Sequence, residues 1–225
     1  MSIARFRKMP KRGLFIVLEG IDGSGTTTQI NFLHDYLKSL SKYNDVLTTH
    51  EPWKSKEIKR KLSEEKDAYS DGKKMMELYV QDRKKHQEKL IKPVLKIGGI
   101  VLCDRYHLST YAYQKTQGIA FEIIIDAHKS NEILNPDLTI FLDVDFENAR
   151  KRILKRGDSL EKFERDEIFT KKLINQYNHL CNLSKNDENL FGKIIKINGN
   201  PCEEEVFSQI KEKIQPLIPN HYKSD

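Results

Sequence analysis

Gly20-Ile21-Asp22-Gly23-Ser24-Gly25-Thr26-Thr27 is the stretch on which the fold turns. It follows the apolar run Leu14-Phe15-Ile16-Val17-Leu18-Glu19 and leads into a segment in which Ile30, Leu33, Leu37 and Leu40 recur at helical spacing. A strand, a glycine-rich turn and a helix, in that order, frame the phosphate-loop pattern G-x-x-x-x-G-K-[ST], with Gly20 and Gly25 at its two glycine positions. Gly23 and Gly25 let backbone N–H groups converge on an anion, and the helix start adds the positive end of its dipole. The backbone of Gly20, Ile21, Asp22, Gly23, Ser24, Gly25, Thr26, Thr27 and Thr28 is therefore the candidate cradle for nucleotide phosphates. Thr27 holds the hydroxyl position that ligates Mg²⁺ in such loops. Thr26 is the departure, because it stands where the loop lysine belongs. That lysine bridges the terminal phosphates and offsets transition-state charge, whereas threonine is neutral and too short to do so. On this stretch alone, a glycine-rich turn without a ligand remains an open alternative.

Outward from the loop, further apolar runs at Val46–His50, Ile100–Asp104, 138–144 and 193–197 predict strands. Helical spacing predicts helices over 26–41, 73–97, 119–130, 146–156, 167–183 and 203–217, and Pro93 should kink or break the long one. Continuously apolar strands alternating with helices predict an α/β fold, a five-stranded parallel sheet with helices on both faces. Ligands of such sheets bind at the carboxyl ends of the strands. Polar residues gather there: Glu19, His50-Glu51 and Asp104-Arg105 each close an apolar run, and Asp143 and Asp145 flank another. Charges that end a buried strand usually serve a site, which makes Asp104 and Arg105 hard to read as surface residues.

The chain has 225 residues, enough for a single sizeable core with inserted loops. The expected layout is a basic leader over 1–12, one domain over 13–217 with a lid near 150–166, and a tail over 218–225. The net charge of +6 fits a lysine-rich solvated surface or a basic site for polyanionic substrates. Nothing in the sequence matches a nucleic-acid-binding motif, so no nucleic-acid partner is expected. No run approaches transmembrane length, and the leader lacks a signal peptide's apolar stretch, so no membrane association is expected. The three cysteines, Cys103, Cys181 and Cys202, are odd in number and lack metal-ligand spacing, which predicts reduced thiols and a cytoplasmic setting.

Six segments, in order, resemble the thymidylate kinase family. They are Glu19 to Gly25 with Thr27-Thr28-Gln29; Glu51-Pro52; Leu78-Tyr79 with Arg83; Asp104-Arg105-Tyr106 followed by Ser109, Thr110 and Ala112-Tyr113-Gln114; Pro136-Asp137-Leu138 through Asp143-Val144; and Arg156-Gly157 with Glu161-Lys162-Phe163-Glu164. The resemblance implies a P-loop kinase fold that moves the terminal phosphoryl of ATP, with Mg²⁺, onto dTMP, and a homodimer. It implies that Asp22 lies near the acceptor's sugar and phosphate, that Arg105 contacts that phosphate, and that Arg83 bonds the base edge. Tyr79 would stack on the base; it lies one helical turn before Arg83 and so on the same face. Glu51, Ser109, Thr110, Tyr113 and Gln114 complete the implied acceptor site, with Asp104 beside Thr27 at the metal. The chain departs from the family pattern at His50 (usually arginine), at Trp53 (usually glycine) and at Lys162 (usually a lid arginine).

Gly23 matches the family subtype whose phosphate loop lacks an arginine and whose lid supplies one. The segment 150–165 carries Arg150, Lys151, Arg152, Lys155, Arg156, Lys162 and Arg165. Arg156 and Lys162 are the candidates to close over the donor phosphates and restore the charge lost at position 26. A binding protein that lost catalysis with the lysine, and a kinase of another monophosphate, stay open as alternatives.

Overall fold

β-Branched and leucine-rich runs form five strands in the computed structural model, which describes residues 12–64, 71–157 and 166–223. The strands are β1 (Leu14–Glu19), β2 (Val46–His50), β3 (Ile100–Asp104), β4 (Leu138–Asp143) and β5 (Ile194–Asn198). Every pairing between them is parallel, in the order β2-β3-β1-β4-β5. Around them run α1 (Thr26–Leu40), α2 (Lys56–Glu64), α3 (Gly72–His86), α4 (Lys92–Lys96), α5 (His107–Thr116), α6 (Phe121–Ser130), α7 (Phe146–Lys155), α8 (Glu167–Asn186), α9 (Glu188–Phe191) and α10 (Glu203–Ile214). None of these helices is long and apolar enough to cross a membrane.

The period of two along β1 divides the core. Ile16 and Leu18 join Leu33 and Leu37 of α1 and Val206 and Ile210 of α10 on one face. Phe15 and Val17 turn to the other face, against Ile91, Leu95 and Tyr106. Farther along that face, Phe141 of β4 packs with Leu108 and Tyr111 of α5 and Leu173 and Tyr177 of α8. Both faces are covered, which is why β1, β3 and β4 are apolar almost throughout.

The predicted helix over 73–97 is neither broken nor uniform. A π-helical turn, Gln87–Ile91, joins α3 to α4 just before Pro93. Proline lacks an N–H, and its ring collides with the carbonyl four residues back, so a widened turn there lets the helical path continue. Helices α2, α5 and the short α9 go beyond the sequence prediction. The predicted segment over 203–217 divides into α10 and a 3₁₀ turn, Gln215–Leu217. The stretch set apart as a tail packs on the core: Ile218 and Tyr222 are buried, and the Tyr222 carbonyl accepts from the Asn44 side chain at 2.8 Å. Of the leader, Arg12 is described and pairs with Asp137 at 2.6 Å; residues 1–11 lie outside the described residues.

Strand order reverses at β1, which lies between β3 and β4. The loops after β1, β2 and β3 therefore open onto one crevice at the carboxyl edge of the sheet.

Candidate active site

The phosphate loop is held open by backbone geometry. Gly25 precedes α1 at φ 92°, a left-handed conformation that disfavours a side chain. Gly23 is at φ 78°, and a Cβ there would lie 2.5 Å from the Ala149 carbonyl oxygen, so α7 packs directly on the loop. In front of the loop is a groove of about 790 Å³ lined by Ile21, Asp22, Gly23, Gly25, Thr26, Thr27 and Thr28, and by His50, Glu51, Asp104, Arg105 and Arg156 from other elements. Gly20 and Ser24 complete the turn behind it, and Ser24 is buried.

The Thr27 hydroxyl donates to Asp104 Oδ2 at 2.7 Å, while Asp104 Oδ1 is buried without a hydrogen-bond partner. A hydroxyl and a carboxylate side by side, one oxygen unsatisfied, form a hard-oxygen pair suited to Mg²⁺, which needs only one or two protein ligands beside phosphate and water. The residues present fit that ion.

Arg105 is the hinge of the site. Its φ is 62°, in the left-handed region, and its N–H donates to the Leu18 carbonyl at 2.8 Å. The guanidinium pairs with Asp22 and donates to the Tyr113 hydroxyl at 3.3 Å. Buried Glu19 secures the following segment. Its carboxylate accepts from the N–H groups of Tyr106 (2.9 Å) and Ser109 (3.1 Å) and from the Ser109 hydroxyl (2.6 Å), capping α5 from another strand. Burial pushes the Glu19 pKa up, opposed by the Ser109 bond and by Arg105.

A second cavity, of about 200 Å³, opens beside the first and shares Asp22, Glu51 and Arg105 with it. Tyr79, Arg83, Ser109, Thr110, Tyr113 and Gln114 line it, so the structure brings together every acceptor-site residue expected from sequence. It adds Lys61, Leu62, Met75 and Gln117, which lie in or beside helices with no motif to mark them. Arg83 is 1% exposed. Its Nε donates to Glu51 Oε2 at 2.7 Å, Nη1 to His128 Nε2 at 2.9 Å, and Nη2 to the Tyr106 carbonyl at 2.9 Å and Thr110 Oγ1 at 3.0 Å. Burial, the largest influence, works against its charge, but Glu51, Tyr106 and Glu19 together hold its pKa above the ordinary value. Burial pushes the Tyr79 phenol up to about 12, so it stays neutral on the cavity wall.

Trp53 stacks on His86 with ring centroids 5.1 Å apart, rather than lining the acceptor cavity. His86 in turn meets Glu51 Oε1 at 3.1 Å and Thr49 Oγ1 at 2.9 Å. Of the two lid candidates, Arg156 is on the wall of the phosphate groove, and Lys162 lies outside the described residues.

A family model described as thymidylate kinase matches residues 18–210. A thymidylate kinase of Sulfurihydrogenibium sp. (strain YO3AOP1) is 38% identical over 195 residues, which is 83% of this chain and 89% of the relative. A thymidylate kinase of Wolbachia pipientis subsp. Culex pipiens (strain wPip) is 34% identical over 212 residues, 92% of this chain and all of the relative. A probable thymidylate kinase of Staphylothermus marinus is 43% identical over 136 residues, 59% of this chain and 64% of the relative.

Proposed function

This chain belongs to the thymidylate kinase family, and we propose that it transfers the terminal phosphoryl group of ATP to dTMP, releasing ADP and dTDP. It is a nucleoside monophosphate kinase, and the observation that carries the choice of chemistry is the meeting of two cavities at Asp22 and Arg105. One is open, polar and built on the phosphate loop; the other is smaller and walled by Tyr79 and Arg83. A phosphoryl donor in the first and an acceptor monophosphate in the second would face each other across the Asp22–Arg105 pair. An oxygen of the acceptor phosphate attacks the terminal phosphorus, and the bond to the bridging oxygen of ADP breaks. Both substrates are polyanions, so the protein's work is positioning and charge stabilisation.

In this scheme the backbone from Gly20 to Thr28 holds the donor phosphates. Arg105 binds the acceptor phosphate, and Asp22, paired to it, orients the guanidinium and faces the sugar. Tyr79 stacks on the base; Arg83, Thr110 and Gln114 read its edge; Glu51 holds Arg83, Tyr113 holds Arg105 beside Asp22, and Ser109 lines the same cavity. Mg²⁺, arriving with ATP, would be held by Thr27 and Asp104 and would neutralise charge between the terminal phosphates. Arg156, with Lys162, supplies the cation that Thr26 cannot. The scheme includes a homodimer, on the family resemblance, and a cytoplasmic setting, on the unpaired thiols of Cys103, Cys181 and Cys202.

Calorimetric titration of the protein with monophosphates, without ATP, tests the acceptor assignment. dTMP should bind more tightly than dCMP, dAMP or dGMP, and Arg105→Ala should weaken it by tenfold or more, roughly what losing a charge-assisted phosphate contact costs. Equal binding of all four would refute the base assignment.

A further inference from the structure

We propose that His128, which does not line the acceptor cavity, is the positioning residue that sets Arg83 for the acceptor base; this rests on the assignment of that cavity to the monophosphate.

The tautomer of His128 is forced by its neighbours. Nδ1 lies 2.8 Å from the Ile124 carbonyl oxygen, which can only accept, so Nδ1 carries the proton. Nε2 lies 2.9 Å from Arg83 Nη1, which can only donate, so Nε2 presents a lone pair. The ring is therefore a neutral, fixed acceptor. It is 5% exposed and stacks on Tyr111, with centroids 4.5 Å apart and planes at 21°. Burial, with Arg83 next, lowers its pKa well below the ordinary histidine value, in keeping with that state.

Three segments hold the Arg83 guanidinium. Glu51, just after β2, takes Nε and also lies 2.7 Å from Nη2; Tyr106, just before α5, and Thr110 of α5 take Nη2; and His128 of α6 takes Nη1. A planar fork anchored at Nε and Nη2 alone keeps freedom to rock about its long side chain. The His128 lone pair fixes the third corner and leaves one Nη1 hydrogen to be aimed. Misplacing a binding group by a fraction of an ångström is costly in a site of this kind.

The test compares His128→Phe, which keeps the stacked ring but removes the acceptor, with His128→Gln, which restores an acceptor through its amide oxygen. His128→Phe should raise KM for dTMP roughly tenfold, the scale of one hydrogen bond to a charged group, with kcat and KM for ATP little changed. His128→Gln should recover most of that loss. Should His128→Phe fail to fold, His128→Ala with and without added imidazole replaces it, and imidazole should lower KM for dTMP. Unmoved KM in His128→Phe, an equal rise in His128→Gln, or no response to imidazole would overturn the proposal. Arg83→Ala separates the two levels. If it leaves KM for dTMP unchanged, the acceptor assignment fails and the proposal with it; if it raises KM while His128→Phe does not, only the role of His128 fails.

Discussion

Replacing Glu51 by Gln should destabilise the protein by about 3 kcal/mol, because it removes the charge that holds a buried guanidinium. The side chains of Glu51 and Arg83 are 4% and 1% exposed, so water screens the pair little. Removing one partner of such a pair costs roughly 3–5 kcal/mol, since the other charge is left uncompensated. Arg83 keeps three neutral acceptors, His128, the Tyr106 carbonyl and Thr110, and gains the glutamine oxygen, which favours the lower end. His86 adapts by presenting a lone pair at Nδ1 to the new amide and donating from Nε2 to Thr49. For a chain of this size each kcal/mol moves the melting temperature by about 2–4 °C, so the midpoint should fall by about 6–12 °C. Differential scanning calorimetry at neutral pH measures it, with Lys171→Ala as control. That variant breaks an ion pair whose side chains are 59% and 48% exposed, and its midpoint should not move. A shift below about 2 °C in Glu51→Gln would refute the claim that this pair carries the acceptor wall.

Arg156→Ala should lower kcat by about a hundredfold or more, given what a cation over the transferring phosphoryl contributes, while changing KM for dTMP far less; steady-state kinetics at saturating ATP decides it. Acid should destabilise the fold through its buried histidines. His107 is pushed down to about 3 by burial, with Arg83 adding to it, and His128 is lowered well below the usual value. The native state keeps them neutral and the unfolded chain protonates them, so their contribution is complete above about pH 6.5 and is lost as pH falls. His107 alone costs about 2 kcal/mol between about pH 6.5 and 5, which urea titrations at several pH values would detect; His128 adds in the same direction, so His128→Gln should make that slope shallower.

The strands were legible because parallel strands buried on both faces are continuous apolar runs, and each predicted strand lies within a residue or so of its place. Helix α5 was not, although its residues had been singled out as a motif. Its cap comes from Glu19, 90 residues before Ser109, and no local pattern announces a cap on another strand. Helix α2 was missed because only Ile58 and Leu62 give its sequence an apolar stripe, and Ile58 alone is fully buried. Within the site, most residues that line the two cavities carry a motif. Those that hold them, His128 and His86, were invisible, since a histidine in a helix looks the same whether it faces solvent or anchors an arginine. Lys61 and Met75 were missed for the same reason.

The missing loop lysine bears most directly on the central claim. A coupled phosphotransfer assay with ATP–Mg²⁺, a panel of nucleoside monophosphates and Thr26→Lys alongside tests it. The native protein should turn over dTMP in preference to the other monophosphates, with the charge absent at Thr26 supplied by the lid. No turnover of any monophosphate by the native protein, with activity appearing in Thr26→Lys, would contradict it and make this chain a nucleotide-binding protein on a kinase scaffold.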